Sequence, residues 1–280
     1  MTRKPPHSVR VLHKWISEHA DATGEPVVRA QRWVSFMVIA SVLDRVRDER
    51  DDPLFLLKGG AAMELRLGLR ARATKDFDVS FRDRTEEMLG NLDTALRLPF
   101  GDFEVTRGEP APIGPTASQR IDLKLAYRGR SWQTVRLEIA PAEGSAGQDV
   151  DPVAGIALDR FGLTAVDRVP CVSIRYQIAQ KIHACTTMPG GRPNDRSRDL
   201  IDLLLLRDLV GAEQLGDVRV ACVETFELRD RHAWPPTVTV MDPWRQTYPL
   251  EAEALDFDPR DVDVATERVQ CFIHEIADAR

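Results

Sequence analysis

Leu57–Phe81 reads LKGGAAMELRLGLRARATKDFDVSF, and its parts decide the architecture. Leu54–Leu57 is a short apolar run of the kind a buried strand uses. Gly59-Gly60 then turns the chain into a short amphipathic helix over Ala61–Leu69. Beyond it, Phe77, Val79 and Phe81 alternate with Asp76, Asp78 and Ser80. This period of two predicts a strand with one apolar face and one carrying both acids. Residues two apart on a strand face lie ~7 Å from each other along the chain. Like charges so placed repel, so something positive is expected between them.

Working outward, residues 26–50 read as one helix, with Pro26 in its first turn and apolar residues at helical spacing, stopped by Asp51-Asp52-Pro53. Residues 85–98 also read as helix, and Arg107–Ser118 and Gly144–Gly155 as loops. Ile121–Tyr127 and Val135–Ala140 predict a hairpin turning at Gly129-Arg130. From about Ser173 the pattern is helical: Ile174–Thr186 is one helix and Arg198–Leu209 another. The last third stays helical apart from a Trp/Pro stretch whose Trp234, Trp244 and Tyr248 are expected to pack a helix pair together. The fold class is therefore α+β: a mixed sheet with flanking helices over residues 1–165, followed by a mainly helical domain over 166–280.

Composition sets bounds on function. A net charge of −6 over 280 residues argues against a general polyanion binder and leaves room only for local basic patches. Cys171, Cys185, Cys222 and Cys271 show no metal-finger or C-x-x-C spacing and read as reduced thiols. The opening MTRKPPHSVR has no apolar signal-peptide core, and the longest apolar run, near Val34–Leu43, is about half a membrane span. The expectation is a soluble, cytoplasmic protein without a membrane association. There is no H-E-x-x-H and no G-x-S-x-G, so zinc hydrolysis and serine chemistry find no support.

Carboxylates two apart on a strand are compatible with a site clasping metal ions ~3.5–4 Å apart. A lone D-x-D is weak evidence for that, and by itself it reads first as a solvated strand face, which produces it often. Two further features favour a site. Glu138 stands between Leu137 and Ile139 on a later strand, where an acid needs a partner. Gly59-Gly60 opens a helix whose first N–H groups suit a phosphate.

Glycines at a helix start, D-x-D on the following strand and a third acid later resemble the DNA polymerase β-type nucleotidyltransferase superfamily. More closely, Leu57–Val79 is similar to the opening of the AbiEii/AbiGii toxin family, which includes the MenT toxins. Residues 178–206, IAQKIHACTTMPGGRPNDRSRDLIDLLLL, resemble that family's second motif: A-x-K-x-x-A on a helix, a loop, then R-x-K-D-x-x-D-L. The resemblance implies Asp76 and Asp78 as metal ligands for Mg2+ or Mn2+, with Glu138 as the third acid. It implies Lys181 as a contact to NTP phosphates from a C-terminal domain closing the nucleotide cleft, and Asp199 as a second-motif catalytic acid. Asp202 either completes that motif or caps and salt-bridges. Lys58 joins Gly59 and Gly60 at the phosphates or is a strand-end surface lysine. Position 198 is Arg where the family often has Lys, and Glu138 stands where many relatives have Asp.

The implied activity is transfer of a nucleoside monophosphate from an NTP to an RNA acceptor, the tRNA 3′ end in the MenT branch, blocking translation. A cognate antitoxin would be a partner. Arg72 and Lys75 before the acids, and Arg192, Arg196 and Arg198 in the second motif's loop, are candidates for holding RNA. His183 lies on a different helix face from Lys181 and reads as structural. The alternatives are a regulator that binds nucleotide or antitoxin without catalysis, and a transferase acting on a small molecule or protein.

Overall fold

The first helix, α1 (Val9–Thr23), begins where the Ser8 hydroxyl accepts from the Val11 N–H and ends at Gly24 in the left-handed region. Leu12, Ile16 and Ala20, spaced four apart, form its buried stripe. Helix α2 (Val27–Leu43) is shorter than the 26–50 expected. Past Leu43 the run is charged, and the chain folds back instead: Asp48 N–H donates to Asp52 O, and Leu54 N–H to Val46 O. These data come from a computed structural model describing residues 3–188, 190 and 194–279.

The deciding stretch forms β1 (Phe55–Lys58), α3 (Gly59–Leu67) and β2 (Asp76–Phe81). Helix α4 (Met88–Leu96) occupies less of 85–98 than expected, preceded by a 3-10 turn over Thr85–Glu87. Strands β3 (Phe103–Arg107), β4 (Ala111–Pro112), β5 (Gln119–Tyr127), β6 (Arg130–Pro141), β7 (Val150–Ala154) and β8 (Arg168–Val172) complete one mixed sheet. Its order is β3-β5-β6-β2-β1-β8-β7, with β4 on β5. Strand β2 runs parallel to β6 and antiparallel to β1, and β1 runs parallel to β8. The hairpin β5–β6 stands where expected. Part of the segment read as loop, 144–155, is instead β7, whose Pro152 fits because β7 is an edge strand. The two-residue β4 likewise interrupts the 107–118 loop. The apolar face packs Phe77, Val79, Phe81, Leu123, Leu137 and Ile139 into the core, with Phe36 of α2 edge-on to Phe77.

The chain divides into two units. The sheet unit comprises the residues up to Gly68, Ala73–Ala142 and Val150–Val172. The other comprises Leu69–Arg72, Glu143–Asp149 and everything from Ser173 onward. The change at Ser173, rather than near residue 165, follows from β8, which completes the sheet first.

The helical unit holds α5 (Ile174–Thr186), α6 (Ser197–Arg207), α7 (Leu215–Arg229), α8 (Trp244–Ala254) and α9 (Val262–Asp278). Asn194, just before α6, is tied to the end of α5. Its amide donates to the Ala184 and Thr187 carbonyls, and its own carbonyl accepts from Trp244 Nε1 at 2.6 Å. Trp244 and Tyr248 are fully buried, whereas Trp234 is partly exposed and meets Phe226 edge-on. Among the described residues, no helix is long and apolar enough to cross a membrane.

Candidate active site

Strand pairing lines up charges across the sheet. Lys58 on β1, Asp78 on β2, Glu138 on β6 and Arg120 on β5 are direct neighbours in one row. Asp76, Arg136 and Asp122 form the next. Cross-strand partners share a face, so these side chains lie opposite the Phe77–Phe81 core face. Neither row could be foreseen from spacing alone, because register is a property of paired strands.

Gly59 is required here. Its φ is +61°, and a Cβ on it would collide with the Asp78 carboxylate. Gly60 is crowded as well: a Cβ there would stand 2.8 Å from Thr74 Cβ. The two glycines thus let the start of α3 lie directly against Asp78 and Thr74. Asp202 Oδ1 in the second motif is a buried atom without a hydrogen-bond partner, and so is Asp76 Oδ1. Arg136 Nη1 stands 3.6 Å from Asp76 Oδ1, an ion-pair distance beyond hydrogen-bond reach. A buried acceptor left bare costs ~1–3 kcal/mol, and such atoms in a folded protein call for an explanation.

Glu138 reaches the same row, but its Oε1 accepts from Arg120 Nε at 2.9 Å and Nη2 at 2.7 Å. Among the described residues, no three His, Cys, Asp or Glu side chains are grouped to hold a metal ion. The structure therefore sets Glu138 beside Asp78 in register, with Asp76 one row away beside Arg136 and Glu138 engaged by Arg120.

In the helical unit, the second motif closes on itself. Lys181 Nζ donates to Asp199 Oδ1 at 2.8 Å and to Asp202 Oδ2 at 2.6 Å. All three residues are buried. Burial alone would lower the Lys181 pKa, but the two carboxylates outweigh it and raise it. Burial alone would raise that of Asp199, yet Lys181 holds it below the ordinary carboxylate value. Arg72 Nε lies 3.5 Å from Asp202 Oδ2, and Arg196 Nη1 lies 3.8 Å from Asp199 Oδ2.

The remaining candidates scatter. Lys75 is exposed. Arg198 lies 3.8 Å from Glu251, an acid whose pKa burial raises and which accepts from Ser197 Oγ. Arg192 lies outside the described residues. His183 is buried beside Phe226 and His232, and burial pushes its pKa down to about 4.

Residues 41–270 match the family model described as nucleotidyl transferase AbiEii toxin, type IV TA system. The chain belongs to the AbiEii family. No curated protein matches it. Among solved structures, MenT4, a nucleotidyltransferase toxin from Mycobacterium tuberculosis H37Rv, is similar with a TM-score of 0.61 at 17% identity, covering 96% of this chain and 90% of that one. The antibiotic-resistance factor ANT(2'')-Ia follows with a TM-score of 0.38 at 18% identity, covering 71% of this chain and 92% of its own. The Megavirus polyadenylate synthase gives 0.36 at 8% identity, over 86% and 40%. The likeness to MenT4 confirms the mixed α/β fold expected from the sequence.

Within this AbiEii nucleotidyltransferase toxin, the sequence pattern missed four neighbours of the motifs. Arg120 and Arg136 stand beside the acids only through strand register. Glu251 meets α6 only through helix packing. Glu64, inside the quoted stretch, read as one polar position of an amphipathic helix, yet it is buried and accepts three hydrogen bonds.

Proposed function

We propose that this AbiEii protein transfers a nucleoside monophosphate from an NTP to the 3′ end of an RNA, a tRNA in the first instance, and thereby blocks translation. The observation that carries this reading is the Asp76–Asp78 pair: two carboxylates on one strand face, one with a bare buried oxygen, against a helix start cleared of side chains by Gly59. Hard carboxylate oxygens suit Mg2+ or Mn2+. The unsatisfied Asp76 Oδ1 is what such a cation would complete, so the residues present fit one. Asp76 and Asp78 would hold it, and Glu138 would join on leaving Arg120. When bound, a divalent cation would supply neutralisation of charge on the reacting phosphates.

The chain's own residues do the rest. Lys58, Gly59 and Gly60 bind phosphate oxygens at the start of α3. The RNA hydroxyl attacks the α-phosphorus in line; its oxygen bonds to phosphorus, the bond to the bridging oxygen breaks, and pyrophosphate leaves while the hydroxyl proton is lost to solvent. Catalysis is then mainly positioning and charge stabilisation. Lys181 keeps one ammonium N–H beyond the two given to Asp199 and Asp202, and that donor serves the triphosphate. Asp199 holds Lys181 charged and in place. With a net charge of −6, RNA must be held locally, by Lys75, Arg72, Arg192, Arg196 and Arg198. The family's toxin–antitoxin context supports a cognate antitoxin as partner, and a cytoplasmic site of action follows from the proposed substrate.

Incubation of the purified protein with each labelled NTP and total RNA tests the reading. Label is expected on RNA of tRNA length, in a cation-dependent manner. Label on a small molecule or on protein would replace the acceptor, and no transfer with any NTP would leave a non-catalytic binder.

A further inference from the structure

Thr74 lies just before β2, whose sheet pairing begins at Asp76. No ladder holds Thr74, yet it is buried and both of its main-chain groups are held by side chains. Its N–H donates to Glu64 Oε1 at 2.5 Å, and its carbonyl accepts from Arg32 Nη1 at 2.7 Å. Its hydroxyl donates to the Asp76 carbonyl at 3.3 Å, and its Cβ is the atom that forbids a side chain at Gly60. Thr74 is thus the piece against which both the start of α3 and the first acid are set.

Glu64 is the centre of the arrangement. It is 2% exposed and accepts from Arg29 Nε at 3.1 Å and Trp33 Nε1 at 2.6 Å as well as from Thr74. Arg29 also donates to Gly68 O, so one ion pair ties α2 to both ends of the segment leading from α3 to β2. Such a buried carboxylate is a poor way to gain stability, since well-packed apolar residues often serve as well or better. What it supplies is direction: three convergent donors fix one place for a main-chain N–H two residues before Asp76.

We propose that Glu64 and Arg32 are positioning residues for nucleotidyl transfer. They clamp Thr74 from both sides and so hold the Asp76 carboxylate and the Gly59–Gly60 helix start in one fixed relation. The assignment rests on the reading of Asp76 and Asp78 as the cation-holding acids. Misplacement of a site by 1 Å can cost ~10²-fold in rate, so the clamp matters to chemistry beyond its part in folding.

The test uses the intact protein with Glu64→Gln, Arg32→Gln and Arg32→Lys. Three quantities are read: Mn2+ binding by electron paramagnetic resonance of the free ion, kcat and KM for the NTP, and Tm. In Glu64→Gln an amide NH2 must face a donor. In Arg32→Gln the Thr74 carbonyl loses its partner without leaving a buried charge. Both are expected to weaken Mn2+ binding and to lower kcat by about tenfold or more, with KM for NTP little changed. Arg32→Lys can still donate to the Thr74 carbonyl and is expected to recover most of both. Wild-type Mn2+ affinity and kcat per folded molecule, with only Tm lowered, would overturn the proposal and leave a structural network. If Glu64→Gln does not fold, the partly exposed Arg32 decides the matter. If the wild-type protein transfers nothing, the functional reading fails, and the Mn2+ arm still judges the clamp separately.

Discussion

On β2, Asp76 and Asp78 lie half-buried on one side of the sheet, whereas Asp199 and Asp202 are buried and close on the Lys181 ammonium. Both are pairs of acids close in sequence, and the chain has treated them differently. In the first, Arg136 stands 3.6 Å from Asp76 and Arg120 also feels its charge. The second is buried with its counter-ion, which raises the lysine pKa and lowers that of Asp199. The β2 pair, half-buried on a strand face, can take up a charge from outside. A pair neutralised from within is first a part of the fold, and can serve chemistry only through the donor it leaves over.

The largest effect that could break this comparison is on activity. Asp76→Asn or Asp78→Asn is expected to reduce transfer by roughly 10²–10³-fold or more, with Tm unchanged or slightly raised because like-charge repulsion is relieved. A large fall in Tm would instead make the β2 acids structural, like the triad.

Next comes Lys181→Met, where the prediction reverses. Removing the ammonium leaves Asp199 and Asp202 buried without their counter-ion, and losing one partner of such a pair typically costs ~3–5 kcal/mol. Denaturant unfolding should show that loss in a variant that also transfers poorly. Full stability would mean that water or Arg72 already carries the compensation.

The smallest effect separates the triad from its surroundings by pH. The Asp199 pKa is depressed, so its contribution is present above the ordinary carboxylate range and is lost only as pH falls below it. The His183 pKa is pushed down from 6.5 to about 4 by burial, with Arg229 adding to the shift. The unfolded chain then takes up the proton first. Stability from His183 is full above pH 6.5 and falls as pH drops toward 4, by roughly 1–2 kcal/mol at pH 5 after solvent screening. His183→Gln should flatten the Tm profile between pH 6.5 and 5. Some slope should remain, because burial also lowers His13, His19 and His232. An unchanged profile would assign the acid sensitivity elsewhere.

Much of the candidate site's layout could be read before any coordinates. Asp76, Asp78 and Ser80 alternate with buried Phe77, Val79 and Phe81, so the strand and the face bearing the acids follow from a period of two. Gly59 was legible as a close approach, although not as an approach to Asp78 itself. Strand β3 was not singled out, and β7 and β8 were harder still: they are short, each contains a proline, and their identity as strands comes only from pairing. The end of α2 was overrun because a charged run continues a helix as readily as it leaves one, and the return of Leu54 to Val46 decides it.

The sequence by itself determined the element types around the acids and the family, because these rest on local periodicity, glycine conformation and motif spacing. Tertiary structure decided which charges meet. Glu138 pairs with Arg120 because β5 and β6 align in one register; a slip of one residue would send it to the core face. Lys181 pairs with Asp199 and Asp202 because α5 and α6 pack side by side, with Asn194 tied back to the end of α5. Glu64 meets Thr74, Arg29 and Trp33 because α2, α3 and the approach to β2 converge on one point. A carboxylate's role depends on its counter-charges within a few ångströms, and those come from residues distant in the chain that only folding brings near.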